Sequence, residues 1–336
     1  MIIPTFFTKV YLKTLEEPKV EIQNKKEILF YYESRQNPNG DPGFENMPRQ
    51  MPDGTIMVTD VRIKRTIRDH AKNVLGHQIF VDYDKDGNAV TADGKAEEIL
   101  GSLKDDIISG LLRKTFDVPL FGALVPIRAK KNKKEGEEIE GRSAKLTGPV
   151  QFGLGRSVNQ VQIINPTISG RFVGKEKEKG EQFSTFGKFY SVDYALIKIH
   201  GAVNPQNLGK YYDDKSIRGS FEKSEQSLFD CLWKGTDQLI TRSKFPQRSI
   251  FYLDIIYKSE IYNDLPNLVQ EKDEMKDKAT GLVKSPLIFD KFVDAAKKRK
   301  SQILKVRAKG CEEMTNDVAS LIKKLQDLGF SAEDIK

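Results

Sequence analysis

The chain has 336 residues, 38% hydrophobic and 31% charged, with a formal net charge of +7 and two cysteines. That supports a packed core in one large domain with insertions or in two ordinary ones, and it favours polyanionic partners over acidic-surface repulsion. Cys231 and Cys311 are far apart, and His70, His77 and His200 lack metal-ligand spacing, so a disulfide framework and a zinc site are excluded; no apolar run reaches bilayer-spanning length, and the reading is a cytoplasmic protein with no cofactor and no membrane partner.

Residues 26–34 read as a strand, because Ile28, Leu29, Phe30, Tyr31 and Tyr32 form a short apolar run rich in β-formers. Residues 35–49 carry prolines, glycines and asparagines, which is loop chemistry. Residues 57–76 predict a helix with Thr59 as N-cap and Gly76 as stop. Residues 79–83 and 88–91 predict a hairpin around Asp86-Gly87. Residues 116–127 and 149–154 lean towards strand and flank a charged insert that begins at Arg128. Residues 158–172 and 183–199 read as the arms of a long hairpin with a Lys/Glu tip between them. Residues 249–257 predict a strong strand, and 287–328 a helical region with apolar positions such as Phe292, Ala295 and Ala296. The strand–loop–helix opening, strands in the middle and a returning strand indicate one principal α+β sheet domain.

The helix is the first candidate site. At about 100° per residue, Lys64, Arg65, Arg68 and Lys72 share one sector, and Ile63, Ile67, Ala71 and Val74 fall in another. One face is expected to pack on the sheet and the other to present cations at the repeat of a phosphate backbone, with arginine adding a forked donor. The competing reading is an ordinary amphipathic helix with a solvated face. Against it, only Asp69 interrupts the positive charge after Asp60, so no ladder of opposite-sign pairs is expected to neutralise the cations. The turn Asn37-Pro38-Asn39-Gly40-Asp41-Pro42 precedes the helix. Gly40 permits positive φ and close backbone approach, and the asparagine amides can donate to phosphate or base edges, although asparagine and proline are also ordinary turn residues.

The ordered combination is more specific than either part. The strand, the turn, Asn46-Met47-Pro48-Arg49 and the run from Val58 to His70 are followed by Asp117-Val118-Pro119-Leu120-Phe121-Gly122. Thr147-Gly148-Pro149-Val150-Gln151-Phe152 then leads to Gly155-Arg156-Ser157, and Leu232-Trp233 to Thr241-Arg242-Ser243-Lys244. Over residues 27–257 this resembles the CRISPR-associated backbone subunit of type I interference (Cascade) complexes, in the subgroup of subtypes I-B and I-C.

The resemblance implies an RRM-like (ferredoxin-like) palm over residues 1–257, with a helical and loop insertion at about 77–115 and a β-hairpin thumb at about 165–194. Residues 258–336 fall outside the resemblance and read from their own pattern as a mainly helical part continuous with the same domain. The resemblance also implies several copies stacked on one CRISPR guide RNA, pairing of that guide with a target DNA strand, contacts with RNA-end-binding and large subunits, and cleavage by a separately recruited helicase-nuclease. The guide-RNA contacts would be Lys64, Arg65, Arg68 and Lys72, with Thr59, Asn37, Asn39, Gly40, Arg156, Ser157, Ser243 and Lys244 along the groove. Phe183, Phe186 and Phe189 on the thumb would press against displaced bases.

Other signals are weaker. The run from Asp82 to Asn88 imitates the start of a calcium loop, but its twelfth position is Asp93 and the context is not helical. Gly153-Leu154-Gly155-Arg156-Ser157 lacks the lysine of a phosphate-binding loop. Asp41 and Asp60 raise the alternative of a metal-dependent RNA endonuclease like the related type III subunits. Simpler roles are a turn for Asp41 and a helix N-terminus for Asp60. A stand-alone RNA-binding protein is the remaining alternative.

Overall fold

The apolar run near the start of the chain folds as strand β1, Lys26–Ser34, and it lies inside the main sheet. The structure, a computed structural model, describes residues 24–84, 86–103, 106–127, 130–131, 138–139, 141–165, 167–170, 185–273 and 285–336. After β1 come β2 (Met57–Val58) and helix α1 (Asp60–Asn73). Helices α2 (Ala92–Leu100), α3 (Ile107–Lys114) and α4 (Asp117–Phe121) follow. Strands β3 (Gly122–Ile127) and β4 (Arg142–Thr147) pair as a hairpin. Next are β5 (Val150–Phe152), β6 (Gly155–Ser157), β7 (Thr167–Gly170), β8 (Thr185–Lys188) and β9 (Ala195–Val203). Helices α5 (Lys215–Gln226) and α6 (Leu228–Asp237) lead into β10 (Gln247–Tyr257). The remainder is α7 (Asp290–Lys298), β11 (Ile303–Gly310), α8 (Thr315–Asp327) and β12 (Ala332–Asp334).

The fold is α+β, as expected. One sheet runs β12-β11-β10-β1-β9-β6-β2, with β5 also on β9. Strand β1 pairs antiparallel with β9 from Lys26↔Val203 to Ser34↔Ala195 and with β10 on its other edge. The β11–β12 pair is parallel, which makes the sheet mixed. Both faces of β1 are covered, which explains its continuous rather than alternating apolar pattern. Ile28, Phe30 and Tyr32 share a core with Ile63, Ile67 and Ala71 of α1 and Leu232 and Trp233 of α6. Leu29 and Tyr31 share a second core with Phe251, Leu253, and Phe292, Val318 and Leu321 of α7 and α8.

Several expectations need correction. The predicted helix over 57–76 is Asp60–Asn73, because Met57 and Val58 pair with β6 instead. Val74, assigned to the apolar sector, lies past the helix end and is exposed. Among the described residues of 79–91 no strands pair as the predicted hairpin. The Asp84 carboxylate accepts from the backbone N–H groups of Asp86 and Asn88, closing a local turn where strand pairing was expected. Residues 117–121 are helical, not extended, and residues 303–310 are a strand within the region expected to be helical. The long-hairpin arms do pair, with Thr167 opposite Lys188 and Ile163 opposite Val192. The insert from Arg128 lies largely outside the described residues.

Candidate nucleic-acid interface

Helix α1 begins where expected. Thr59 caps it, its hydroxyl oxygen accepting from Arg62 N at 3.3 Å. The same hydroxyl and the Thr59 N–H both donate to Asn39 Oδ1 at 2.9 Å. Asn39 is buried and joins the turn after β1 to the start of α1. Thr59 and Asn39 therefore brace the site from behind. Asn37 is also buried, and its Nδ2 donates to the Asn46 carbonyl at 2.5 Å. The backbone passes so close here that a Cβ on Gly40 would stand 2.8 Å from Asn46 O. Close approach is thus what requires glycine. The positive φ expected of Gly40 falls on Glu45 and Asn46 instead.

The cations of α1 are not a bare row. Lys64 pairs with Asp60 at 3.1 Å and Arg65 pairs with Asp69, both four residues apart. Asp82 reaches Lys72 at 2.5 Å and Arg65 at 3.4 Å. The expectation that no opposite-sign ladder would form is overturned, since Asp60 and Asp69 stand at the pairing interval. Arg68 is buried, its Nε donating to Asp117 Oδ2 at 2.8 Å while its guanidinium carbon lies 5.0 Å from the Phe121 ring centre. Asp117 is fully buried and also accepts from the N–H groups of Phe80 and Val81 at 2.8 and 3.1 Å. The Arg68–Asp117 pair ties α1 to α4, and the Phe80 and Val81 bonds tie the segment after α1 to the same carboxylate.

A cleft of about 450 Å³ gathers a different set of groups. The turn contributes Asn37, Gly40, Glu45 and Asn46, and the loop before β10 contributes Arg242, Ser243 and Lys244. Phe189 and Tyr190 enter from the base of the long hairpin. Five predicted residues therefore meet in one place: Asn37, Gly40, Ser243, Lys244 and Phe189. Arg242 is exposed, with its guanidinium carbon 5.8 Å from the Phe189 ring centre, within cation–π range. Lys244 is half-buried, and its Nζ donates to Ser243 Oγ at 3.4 Å. Burial first, and the nearby charge of Arg62 second, pull Lys244 down to about 8. Arg62 is itself half-buried, donates to Thr66 Oγ1 at 3.0 Å, and is lowered chiefly by burial. Among the described residues neither cation has a carboxylate within ion-pair distance.

Arg62 and Arg242 were not singled out from the sequence. A signal for Arg62 was present: unlike Lys64 and Arg65, it has no Asp or Glu three or four positions away. Arg156 and Ser157 lie apart from the cleft, on β6. Arg156 is exposed, pairs with Asp53 and donates to Thr55 Oγ1 at 2.9 Å. Ser157 is buried; its hydroxyl accepts from Ile56 N at 2.8 Å and donates to Asn159 O at 2.7 Å. Phe186 sits in β8 opposite Ser169, and Phe183 lies outside the described residues. Asp41 accepts from Gly43 N at 3.0 Å and pairs with Arg49 at 3.0 Å. Cys231 and Cys311 are free and buried. Among the described residues no helix is long and apolar enough to cross a membrane.

A family model described as CRISPR-associated protein Cas7 matches residues 24–286. A CRISPR-associated protein Cas7 of Haloferax volcanii is 27% identical over 269 residues, covering 75% of this chain and 76% of the relative. Among solved structures, the chain is similar to one in a CRISPR RNA-guided surveillance complex, with a TM-score of 0.45, 13% identity, and 93% and 94% of the two chains covered. A pre-nicking CRISPR RNA-guided surveillance complex gives a TM-score of 0.43, 14% identity, and coverage of 84% and 91%. A chain of a Type III-B Cmr-beta complex bound to cognate target RNA gives a TM-score of 0.33, 10% identity, and coverage of 67% and 61%.

Proposed function

The chain belongs to the Cas7 family of CRISPR-associated proteins, and from that premise we propose that it is the non-catalytic backbone subunit of a type I CRISPR surveillance complex of the I-B/I-C-like subgroup. Several copies hold one guide RNA by its backbone and present it for pairing with a target DNA strand, beside RNA-end-binding and large subunits and a recruited helicase-nuclease. The observation that carries this reading is the cleft in which Arg242 and Lys244 meet Asn37, Asn46 and the Gly40 turn, with the charge of Arg62 felt at Lys244 and, among the described residues, no carboxylate within ion-pair distance of Arg62 or Lys244. Cations and amides grip a sugar-phosphate chain without reading its sequence, which is left to base pairing.

The palm is read as RRM-like. Its strands β1, β5/β6, β9 and β10 occur in the order 4-1-3-2, with α1 after the first and α5–α6 after the third, the βαββαβ arrangement of ferredoxin-like domains. The paired arms at 163–170 and 185–192 are read as the thumb, with Phe189 at its base. Lys64, Arg65 and Lys72 lie outside the lining of the cleft, and a phosphate reaching them competes with Asp60, Asp69 and Asp82. A non-catalytic role is supported by the engagement of Asp41 with Gly43 and Arg49.

The test is RNA binding by the full chain as a function of salt. An Arg62→Ala/Arg242→Ala/Lys244→Ala variant is expected to bind more weakly and to lower the log–log salt slope by about 0.7 per lost phosphate contact on a single strand. RNAs of unrelated sequence should bind equally well. An unchanged slope with an intact fold, or strong sequence preference, sinks the reading.

A further inference from the structure

The ammonium of Lys244 has unusual surroundings for a lysine at a protein surface. Its own loop offers the Ser243 hydroxyl at 3.4 Å and Arg242, which is held over Phe189. From α1 it feels the charge of Arg62, behind which stand Tyr32, Asp69 and Arg65. The same cleft is lined by Glu45, which accepts from the Tyr190 hydroxyl at 3.1 Å, and by the neutral turn residues Asn37, Gly40 and Asn46. Lys244 is thus half-buried beside a like charge, and among the described residues it has no carboxylate within ion-pair distance. Burial and a like charge both disfavour the charged form, and together they pull the group down to about 8.

An anion in the cleft reverses this balance. A phosphodiester oxygen supplies the missing counter-charge and a hydrogen-bond acceptor, and both favour the ammonium over the amine. Arg62 and Arg242 keep their charge throughout, because guanidinium does not lose its proton in this range.

We propose that a phosphodiester group entering this cleft makes Lys244 take up a proton from the solvent, so that RNA affinity falls as the pH rises above neutrality. The proposal rests on the RNA-binding reading and adds its control by protons. Below the value of the free group, Lys244 is already charged and binding takes up nothing. Above it, each bound subunit must first recover a proton, and affinity falls until the higher value of the bound state is reached. A free group titrating near 8 is about one-tenth charged at about pH 9, so the expected loss from about pH 7 to about pH 9 is about tenfold.

The experiment measures binding of a labelled oligo(A) RNA to the full chain at constant ionic strength across that range; adenine neither gains nor loses a proton there. The wild type should lose about tenfold. Lys244→Arg keeps a charge that does not titrate and should bind with a flat profile; Lys244→Met should bind weakly, also with a flat profile. Calorimetry at about pH 8 in two buffers of different ionisation heat should show about half a proton taken up per bound subunit in the wild type and none in Lys244→Arg. A flat wild-type profile, or a Lys244→Arg profile as steep as the wild type, overturns the proposal alone. Folded wild-type protein that binds no RNA at about pH 7 overturns the RNA-binding reading, and the proposal with it.

Discussion

Replacing Asp117 by alanine should destabilise the chain more than removing any of the exposed cations of α1. Its carboxylate is fully buried and holds three donors: Arg68 Nε at 2.8 Å, Phe80 N at 2.8 Å and Val81 N at 3.1 Å. Its loss leaves the buried guanidinium unpaired, and breaking a buried ion pair from one side costs about 3–5 kcal/mol. The stranded Phe80 N–H adds about 1–3 kcal/mol, less whatever water recovers. A net loss of about 4–6 kcal/mol is a large share of the about 5–15 kcal/mol that folded domains possess. Urea unfolding should therefore show a much lower midpoint with little change in slope. In an Arg68→Met background the charge is already gone, so Asp117→Ala should cost at least about 1 kcal/mol less than in the wild type, a positive coupling in a double-mutant cycle. A loss below about 1 kcal/mol, or strict additivity, would refute the assignment of Arg68 to the interior. So would an Arg68→Met protein of unchanged stability whose RNA salt slope drops.

Two substitutions separate bracing from binding at other predicted residues. Ser157→Ala removes the acceptor for Ile56 N and the donor to Asn159 O. It should cost about 1–3 kcal/mol in denaturation while RNA affinity stays unchanged; a selective loss of RNA affinity would return Ser157 to the interface. Gly40→Ala places a methyl 2.8 Å from the Asn46 carbonyl. The expected cost is about 1–3 kcal/mol of strain, together with weaker RNA binding because the turn forms one wall of the cleft; an unaffected variant on both counts would mean that the turn yields freely. Tyr31→Phe, which removes the hydroxyl donating to Glu271 Oε1 at 2.6 Å, should cost about 0.5–1.5 kcal/mol and leave RNA binding alone.

What the sequence disclosed follows from the range of the interactions involved. The strand at β1, the cap at Thr59 and the stop near Gly76 are local: propensity, one hydroxyl and one glycine decide them. The meeting of Asn37, Gly40, Ser243 and Lys244 was legible only because separated motifs occur in a recognisable order. The pairing of Lys64 and Arg65 was also local and was misjudged, since Asp60 and Asp69 stand four residues from them. The partner of Arg68 is 49 residues away in sequence, so no helical projection could find it. Residues 79–91 show the opposite failure. A turn motif is there, but Asp84 satisfies the backbone within the loop and no second strand is needed.

The position of the C-terminal region bears on where the proposed RNA grip can lie. An open RRM-like sheet offers aromatic side chains on its free face for bases to stack on. In this sheet β1 carries Tyr31 and β10 carries Phe251, with ring centres 6.3 Å apart. Here both are fully buried, in a core shared with Phe292 of α7 and Val318 and Leu321 of α8. The Tyr31 hydroxyl is engaged by Glu271, which also accepts from Lys198 at 2.9 Å. The other face is filled by α1 and α6. With both faces covered, a nucleic acid has no sheet surface to lie on, and the cleft proposed to hold it lies at the rim where the turn after β1, the loop before β10 and the hairpin base meet. A rim offers edges rather than a platform, so it suits contacts to the sugar-phosphate chain and leaves the bases turned outward. In the proposed backbone role the guide must pair with another strand, and the packing that buries Tyr31 would then keep this face of the sheet off the pairing edges of the RNA.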